Sequence, residues 1–184
     1  MKKFKIEACM AMAALLVLAG TAAATVTFYP ETGTGFVGKG DVQSAFGWNN
    51  ADAQNKMSGV TFQVRVKQER RQGCYDTAGQ PVEVISYRYG TRSVASKVSY
   101  TARTHNQIDG IYLEGYEGGG LSDLSGVDWG GWTGPGGEIL GGDECGKNPV
   151  TGGDLHPAHQ PIVGDPTVEG LFVVYGGVRR QIWP

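Results

Sequence analysis

Two histidines and a carboxylate lie close together near the C-terminus, at Asp154, His156 and His159. Imidazole nitrogens and carboxylate oxygens are ligands that zinc accepts. Pro157 stands between the histidines and prevents the helical spacing that would bring a histidine pair onto one face. The pattern therefore favours two solvated loop histidines over a zinc site.

Acidic residues in the preceding segment form a second candidate, made of Asp123, Asp128, Asp143 and Glu144. Calcium binds carboxylate and carbonyl oxygens in flexible loops, and the surrounding glycines expose their carbonyls. The spacing differs from that of an EF-hand and of glycine–aspartate nonapeptide repeats, so a loop kept soluble by its charges is favoured. Calcium stays a hypothesis, and no other cofactor is predicted.

Aromatic side chains supply a third candidate, made of Tyr112, Tyr116, Trp129 and Trp132. Flat aromatic faces beside acids and amides suit the stacking of sugar rings. Tryptophans of a glycine-rich loop also fold back as anchors over a core, and this alternative is favoured.

No catalytic residues are predicted, since the chain lacks the Gly-x-Ser-x-Gly pattern of a nucleophile elbow. A carboxylate pair for glycoside hydrolysis stays open, because the distance between two carboxyl groups is invisible in a sequence.

Alternating apolar and polar residues indicate the strands that must position these groups. The pattern predicts strands at residues 60–69, 82–89, 94–102 and 108–116, with turn residues 76–79 in the first connection and a bulge or bend at Gly90. A further strand is predicted at residues 25–29. Residues 171–183 read as a closing hairpin around Gly176 and Gly177.

Asp41 is a suitable N-cap for a short helix that carries Val42, Ala45 and Phe46 on one side. The whole pattern predicts an all-β, mainly antiparallel fold, either a sandwich or an open barrel, with one short N-terminal helix and a long glycine-rich loop.

That loop comprises the acidic residues 117–153. The stretch 115–153 holds 15 glycines in 39 residues, out of 30 in the chain. Such a segment loses much entropy on ordering and buries little surface, so it is expected to be the least ordered part of the protein.

The N-terminus has the three parts of a secretory signal: Lys2, Lys3 and Lys5, an apolar run over residues 8–20, and alanines at 22–24. Residues 1–24 are therefore predicted to be removed, which leaves a single β-rich domain at 25–184. Removal takes away three lysines and one glutamate and changes the formal charge from −2 to −4. No later segment is predicted to cross a membrane.

Two cysteines remain after this cleavage, Cys74 and Cys145. In an exported chain they are expected to form one disulfide. Closing a loop of that length contributes roughly 4 kcal/mol on the chain-entropy model.

Charge is divided along the chain. Residues 59–104 carry eight Arg or Lys and three acids, whereas residues 105–169 carry eleven acids and one lysine. This division favours two solvated faces that attract each other; the alternative is a cation site in the acidic half and a patch for an anionic polymer in the basic half.

Residues 38–43, Gly-Lys-Gly-Asp-Val-Gln, are followed by Phe-Gly-Trp-Asn-Asn at 46–50 and by Asn-Gln-Ile at 106–108 with Gly110, Leu113, Gly115 and Tyr116. These segments resemble small exported bacterial proteins of uncharacterised function. The resemblance covers most of residues 35–116 and implies no activity, ligand or catalytic residue.

We therefore expect a secreted or surface-associated protein, extracellular or periplasmic, that binds a carbohydrate or a protein. A mildly acidic chain without clustered basic and aromatic motifs argues against nucleic acid. A secreted hydrolase with a carboxylate pair and a structural or filament-forming subunit are the alternatives.

Export and cleavage after Ala24 should leave a product of 160 residues that begins at Thr25. Intact-mass measurement of protein recovered from the culture medium tests this expectation. Full-length protein retained in the cell would contradict it.

Overall fold

The structure is a computed structural model that describes residues 26–103 and 105–184. The predicted signal segment lies outside the described residues. The strands are β1 Thr27–Tyr29, β2 Thr34–Gly38, β3 Thr61–Tyr75, β4 Pro81–Tyr100, β5 Ile108–Tyr116, β6 Asp128–Trp129, β7 Trp132–Thr133, β8 Ile139–Leu140, β9 His156–Pro157, β10 Ile162–Val163, β11 Thr167–Tyr175 and β12 Val178–Trp183.

In the described part of the chain, the twelve strands belong to one sheet, and every pairing is antiparallel. Seven strands form its main path in the order β1-β2-β5-β4-β3-β11-β12, and the five short strands attach beside it. The sheet curls into an open half-barrel. The predicted all-β class is confirmed, and of its two forms the open barrel describes the molecule.

Two short helices follow β2, where the sequence predicts one. They are α1 Lys39–Phe46 and α2 Asn50–Lys56, and a 3-10 turn at Met57–Gly59 follows. Gly38 is the N-cap of α1, so the prediction of Asp41 as the cap is wrong; Asp41 lies in the first turn. Gly47 ends α1 in the left-handed conformation (φ 68°), and the Asn49 side chain accepts the backbone N–H of Asp52 to start α2.

The main core lies on the concave side of the sheet. Phe62, Val64 and Val66 of β3 are buried there, as the alternation predicts. The helices close this side, because Val42 of α1, Ala53 of α2 and Met57 are fully buried against the same cluster. Burying each large apolar side chain contributes about 2 kcal/mol.

The concave side of β3 and β4 changes from apolar to polar halfway along the hairpin. β3 continues past the predicted end at residue 69, and Gln68, Arg70 and Gln72 are as buried as the valines before them. Across the hairpin, Ser86 and Arg92 of β4 are also buried. Buried polar groups need partners, so something other than an apolar layer must cover this half.

The glycine-rich loop covers it and supplies those partners as backbone carbonyls. Arg92 is 1% exposed, and its guanidinium donates at 2.7–3.2 Å to the carbonyl oxygens of Glu117, Gly119, Gly120 and Asp123. Arg70 donates to the carbonyls of Gly142 and Glu144, and Gln72 donates to that of Asp143.

Short strands tie this loop and the segment that follows it to the two edges of the hairpin. β6 and β7 pair with β4, and β9 and β10 pair with β3. The predicted disulfide is present between Cys74 and Cys145, and both cysteines lie in a small second core with Val84 and Leu155. The predicted long glycine-rich loop is present, and short strands and hydrogen bonds from the hairpin hold it in addition to the disulfide.

Gly90 does not bend the chain, and β4 runs through it without a break. A Cβ at this position would lie 2.5 Å from Cγ1 of Val127 and 2.8 Å from the carbonyl oxygen of Asp128. The glycine is required because β6 approaches β4 closely here.

Replacing Arg92 by Met should destabilise the protein by about 3 kcal/mol, because four carbonyls lose a charged donor inside the fold. Urea unfolding measures the loss. Hydrogen exchange should become faster in residues 117–123 before it changes in β3. Arg103→Met, at an exposed site, is the control and should change stability by less than about 0.5 kcal/mol. Equal stability of the two variants would contradict the role assigned to Arg92.

Candidate functional site

The convex side of the sheet carries a band of charged and aromatic side chains that are exposed or half-buried. We call it the outer face. It includes Arg65, Lys67, Glu69, Arg71, Glu83, Tyr87, Tyr89, Lys97, Glu169, Phe172 and Arg179. The register places them on neighbouring strands β4, β3, β11 and β12; for example, Lys67 stands opposite Tyr89. Because successive strand residues point to opposite sides of the sheet, these side chains point away from the side that packs against the core and the loop.

Three aromatic rings of the outer face, those of Tyr87, Tyr89 and Phe172, each have a cation over them. The Arg65 guanidinium lies 4.4 Å from the Tyr89 ring centroid, and the Lys67 ammonium lies 4.3 Å from that of Tyr87. Arg179 lies 3.8 Å from the Phe172 ring. These contacts hold the cations in place while their outward N–H groups remain in solvent.

Carboxylates stand between the cations. Glu169 lies 3.8 Å from Arg65 and 3.7 Å from Lys67, so one acid is shared by two cations. Arg71 forms a closer pair with Glu69 at 2.7 Å and a longer one with Glu83 at 3.6 Å. Exposed pairs of this kind contribute little to stability, typically about 0–1 kcal/mol, so their arrangement matters more for recognition than for folding.

The outer face therefore has a net positive charge on a chain that is negative as a whole. Its cations are Arg65, Lys67, Arg71, Lys97 and Arg179, and its carboxylates are Glu69, Glu83 and Glu169. Burial lowers the pKa of Arg179, and repulsion from Arg65 lowers it further. Such repulsion between cations is relieved when an anion binds.

Among the described residues, the carboxyl groups with a shifted pKa do not form an acid–base pair. Asp123 has a lowered pKa because its carboxylate accepts hydrogen bonds from Ser125, and the pKa of Glu138 is lowered mainly by the backbone N–H of Lys147. Asp52 has a lowered pKa because it pairs with Lys56. A general acid for glycoside hydrolysis needs a raised pKa, which none of these three groups has.

The predicted tryptophans lie on the concave side. The Arg88 guanidinium is 4.3 Å from the Trp129 ring and 4.7 Å from the Trp132 ring, and Arg70 stands 4.9 Å from Trp132. Trp129 also packs against the main core. The anchor interpretation thus describes both residues, and stacking of a sugar on them would require the loop to open.

The predicted tyrosines separate from the tryptophans and from each other. Tyr112 is 53% exposed on the convex side and packs against Phe36, with ring centroids 5.1 Å apart. Tyr116 is 7% exposed, donates its hydroxyl to the Pro30 carbonyl and contacts the Arg92 guanidinium. The Tyr116 ring forms part of the core, so little of it is exposed to a ligand.

Three of the four acids proposed for calcium accept local hydrogen bonds. Asp123 accepts from Ser125, Glu144 accepts the backbone N–H of Gly141, and Asp143 accepts from Gln160. Asp128 lies in β6 opposite Thr91. The structure does not bring these carboxylates together.

The zinc candidates are also separated. His156 lies in β9 opposite Tyr75, the carbonyl of His159 accepts from Gln72, and Asp154 lies 3.8 Å from the Lys147 ammonium. A cavity of about 570 Å³ is lined by Asp143, Glu144, Asp154 and His156. Even so, no three His, Cys, Asp or Glu side chains in residues 26–103 and 105–184 are grouped closely enough to hold a metal ion.

A second feature is a wide groove of about 1080 Å³ beside α1. Its walls include Lys39 and Trp48, Ile108 of β5 and Val26, with Gln181 and Ile182 of β12. Segments 38–43, 46–50 and 106–108 meet at this groove. Gln54 joins them, since its side chain both donates to the Ile108 carbonyl and accepts the Ile108 N–H.

Sequence reasoning gave a patch for an anionic polymer in the basic half as an alternative, but it did not locate the outer face. In the sequence, Arg65, Lys67 and Glu69 have the pattern of an ordinary solvent-exposed strand face. The missing signal was Tyr87 and Tyr89, whose position opposite these residues depends on the hairpin register.

In the part of the chain that the structure describes, no helix is long and apolar enough to cross a membrane. No protein-family model, curated protein or solved structure matches the chain.

Tyr116 should make stability depend on pH above 10. Burial raises its pKa from 10 to about 12, so the unfolded chain releases this proton at a lower pH than the folded chain. The contribution is complete below pH 10 and is lost as pH rises through about 12. Urea unfolding between pH 9 and 12 should show a steeper loss for the unmodified protein than for Tyr116→Phe. Tyr100→Phe, at an exposed tyrosine, serves as the control and should keep the steep loss. Equal slopes for all three proteins would contradict the assignment.

Proposed function

We propose that the chain is an exported, non-enzymatic binding protein whose outer face binds an acidic polysaccharide. The observation that carries this proposal is the set of cations held over Tyr87, Tyr89 and Phe172. The rings lie beneath charges of the protein itself, so their faces are not free to stack on a neutral sugar. What the surface offers outward is positive charge and fixed N–H donors, which suit carboxylate or sulfate groups.

The geometry of the strands suits a polymer rather than a small molecule. Arg65, Lys67 and Arg71 lie on one face of β3. Lys67 is two residues, about 7 Å, from Arg65, and Arg71 is four residues, about 13 Å, from Lys67. Arg179 extends the same face across β11 to β12. A flat, extended array of cations can contact several repeats of a chain, whereas a small ligand is normally enclosed in a cleft.

Binding is favoured over hydrolysis because the cationic array lies on an open face, and the described carboxylates with shifted pKa are more acidic than usual. Polysaccharide is favoured over nucleic acid because single-stranded nucleic acid binds through open aromatic platforms, which the cations cover here. The buried disulfide is compatible with an extracellular or periplasmic location, which the predicted signal also favours.

The test is a binding measurement on residues 25–184 with polygalacturonate, neutral dextran and single-stranded DNA. We expect binding to polygalacturonate that weakens as salt rises, because exposed charges are screened over about 10 Å at 0.1 M ionic strength. Replacing Arg65, Lys67 and Arg71 together by Gln should weaken this binding by about tenfold or more. Reducing ends are assayed in the same wells to detect hydrolysis.

A triple variant of equal charge is the matched control. Lys39, Arg103 and Lys147 lie outside the outer face, and their replacement by Gln should leave binding within about twofold. Equal weakening by both triple variants would show that overall charge, not the outer face, controls binding. Tighter binding to dextran or DNA, or the release of reducing ends, would overturn the proposal.

A further inference from the structure

In the part of the chain that the structure describes, β12 is an edge strand of the sheet with no further strand on its outer side. This strand is joined to β11 by a two-residue turn in which Gly176 has φ 56° and Gly177 has φ 79°. Both positive angles match a type I′ hairpin, in which the residues flanking the turn exchange two hydrogen bonds. Tyr175 and Val178 are therefore the hydrogen-bonded pair nearest the turn.

The backbone groups that point away from β11 follow from this register. Hydrogen-bonded and non-hydrogen-bonded pairs alternate along an antiparallel ladder. The pairs Val174–Arg179 and Phe172–Gln181 are thus of the second kind. The N–H and C=O groups of Arg179 and Gln181 point outward, about 7 Å apart, which is the spacing that a further strand requires.

The groove beside α1 adjoins the same edge. Gln181 and Ile182 form one wall, and Val26, Lys39 and Trp48 lie on the others. Val26 directly precedes β1, the opposite edge of the open sheet, and Phe28 of β1 contacts Trp183 with ring centroids 5.0 Å apart. A strand added to β12 would therefore lie over the opening of the half-barrel and direct alternate side chains into this groove.

The charges at this edge select the partner. Arg179 lies on the convex side opposite Val174, and Arg180 lies on the concave side opposite Val173, both exposed. Arg65 adds to the positive potential, since it repels Arg179. In an antiparallel pairing of two β12 strands, these arginines would face those of the second copy, which disfavours self-association. We propose that an extended acidic segment of another protein adds to β12, with one acid beside each arginine.

The probe is a fluorescent peptide, Val-Thr-Glu-Glu-Thr-Val, added to residues 25–184. We expect saturable binding, at least about tenfold tighter than that of Val-Thr-Lys-Lys-Thr-Val. Hydrogen exchange should slow at the outward amides of Arg179 and Gln181, while the amides of Val178 and Arg180 are already protected by β11. Methylation of alternate peptide nitrogens should abolish binding, because it removes the donors of the new ladder.

Two variants complete the test. Gln181→Pro removes an outward N–H without removing a hydrogen bond to β11 and should weaken binding by about tenfold. Replacing Arg179 and Arg180 together by Glu should reverse the preference toward the lysine peptide. If Gln181→Pro does not fold, judged by circular dichroism, the methylated peptide and the charge reversal decide the matter.

Three results would overturn the proposal: equal binding of the acidic and basic peptides, unchanged binding after peptide methylation, or no reversal by the Glu variant. Concentration-dependent dimerisation that Gln181→Pro abolishes would replace the acidic partner by a second copy of the chain. Sedimentation velocity without peptide tests that outcome.

Discussion

The structure depends on arginine side chains buried beneath a segment, residues 115–153, in which 15 of 39 residues are glycine. A glycine-rich loop buries little apolar surface, and its carbonyls must be satisfied wherever it leaves solvent. Arg92 satisfies four of them from one planar guanidinium, and Arg70 satisfies two more. Because both arginines extend from the rigid β3–β4 hairpin, the loop takes its shape from the strands. The Cys74–Cys145 disulfide then fixes the far end, where no apolar core of comparable size exists.

Arginine has a different role on each side of the β3–β4 hairpin. On the concave side, Arg70 and Arg92 are buried and donate to loop carbonyls, and Arg88 lies between two indole rings. On the convex side, Arg65, Lys67 and Arg71 rest on rings or beside carboxylates and keep solvent contact. The same residue type therefore fills a structural role at even positions of β3 and a potential binding role at odd positions.

Alternation and turn chemistry were enough to predict much of the sheet. The strand at residues 108–116 and the hairpin around Gly176 and Gly177 are confirmed, because each rests on local rules. The buried Gln68–Arg70–Gln72 series was missed, since a polar residue at an inward position looks like the end of a strand until its covering segment is known. The Trp129 contact with Arg88 and the burial of Tyr116 were missed for the same reason: their partners lie about 24–41 residues away in the sequence, at Arg88 and Arg92, and long-range register decides them.

The division of charge along the chain has a spatial meaning that differs from simple attraction between two faces. The basic residues nearest the loop bind its carbonyls, so the loop carboxylates are not consumed in ion pairs with the strands. Asp128, Asp143 and Glu144 are exposed on the concave side, whereas the cations of the outer face lie across the sheet. The chain can therefore carry a net negative charge and still have a positive convex surface, because repulsion from the far side is screened over about 10 Å at 0.1 M ionic strength. An acidic polymer would approach the convex side of the sheet alone. β12 lies at the margin of that surface, and the acidic loop lies on the other side of the sheet.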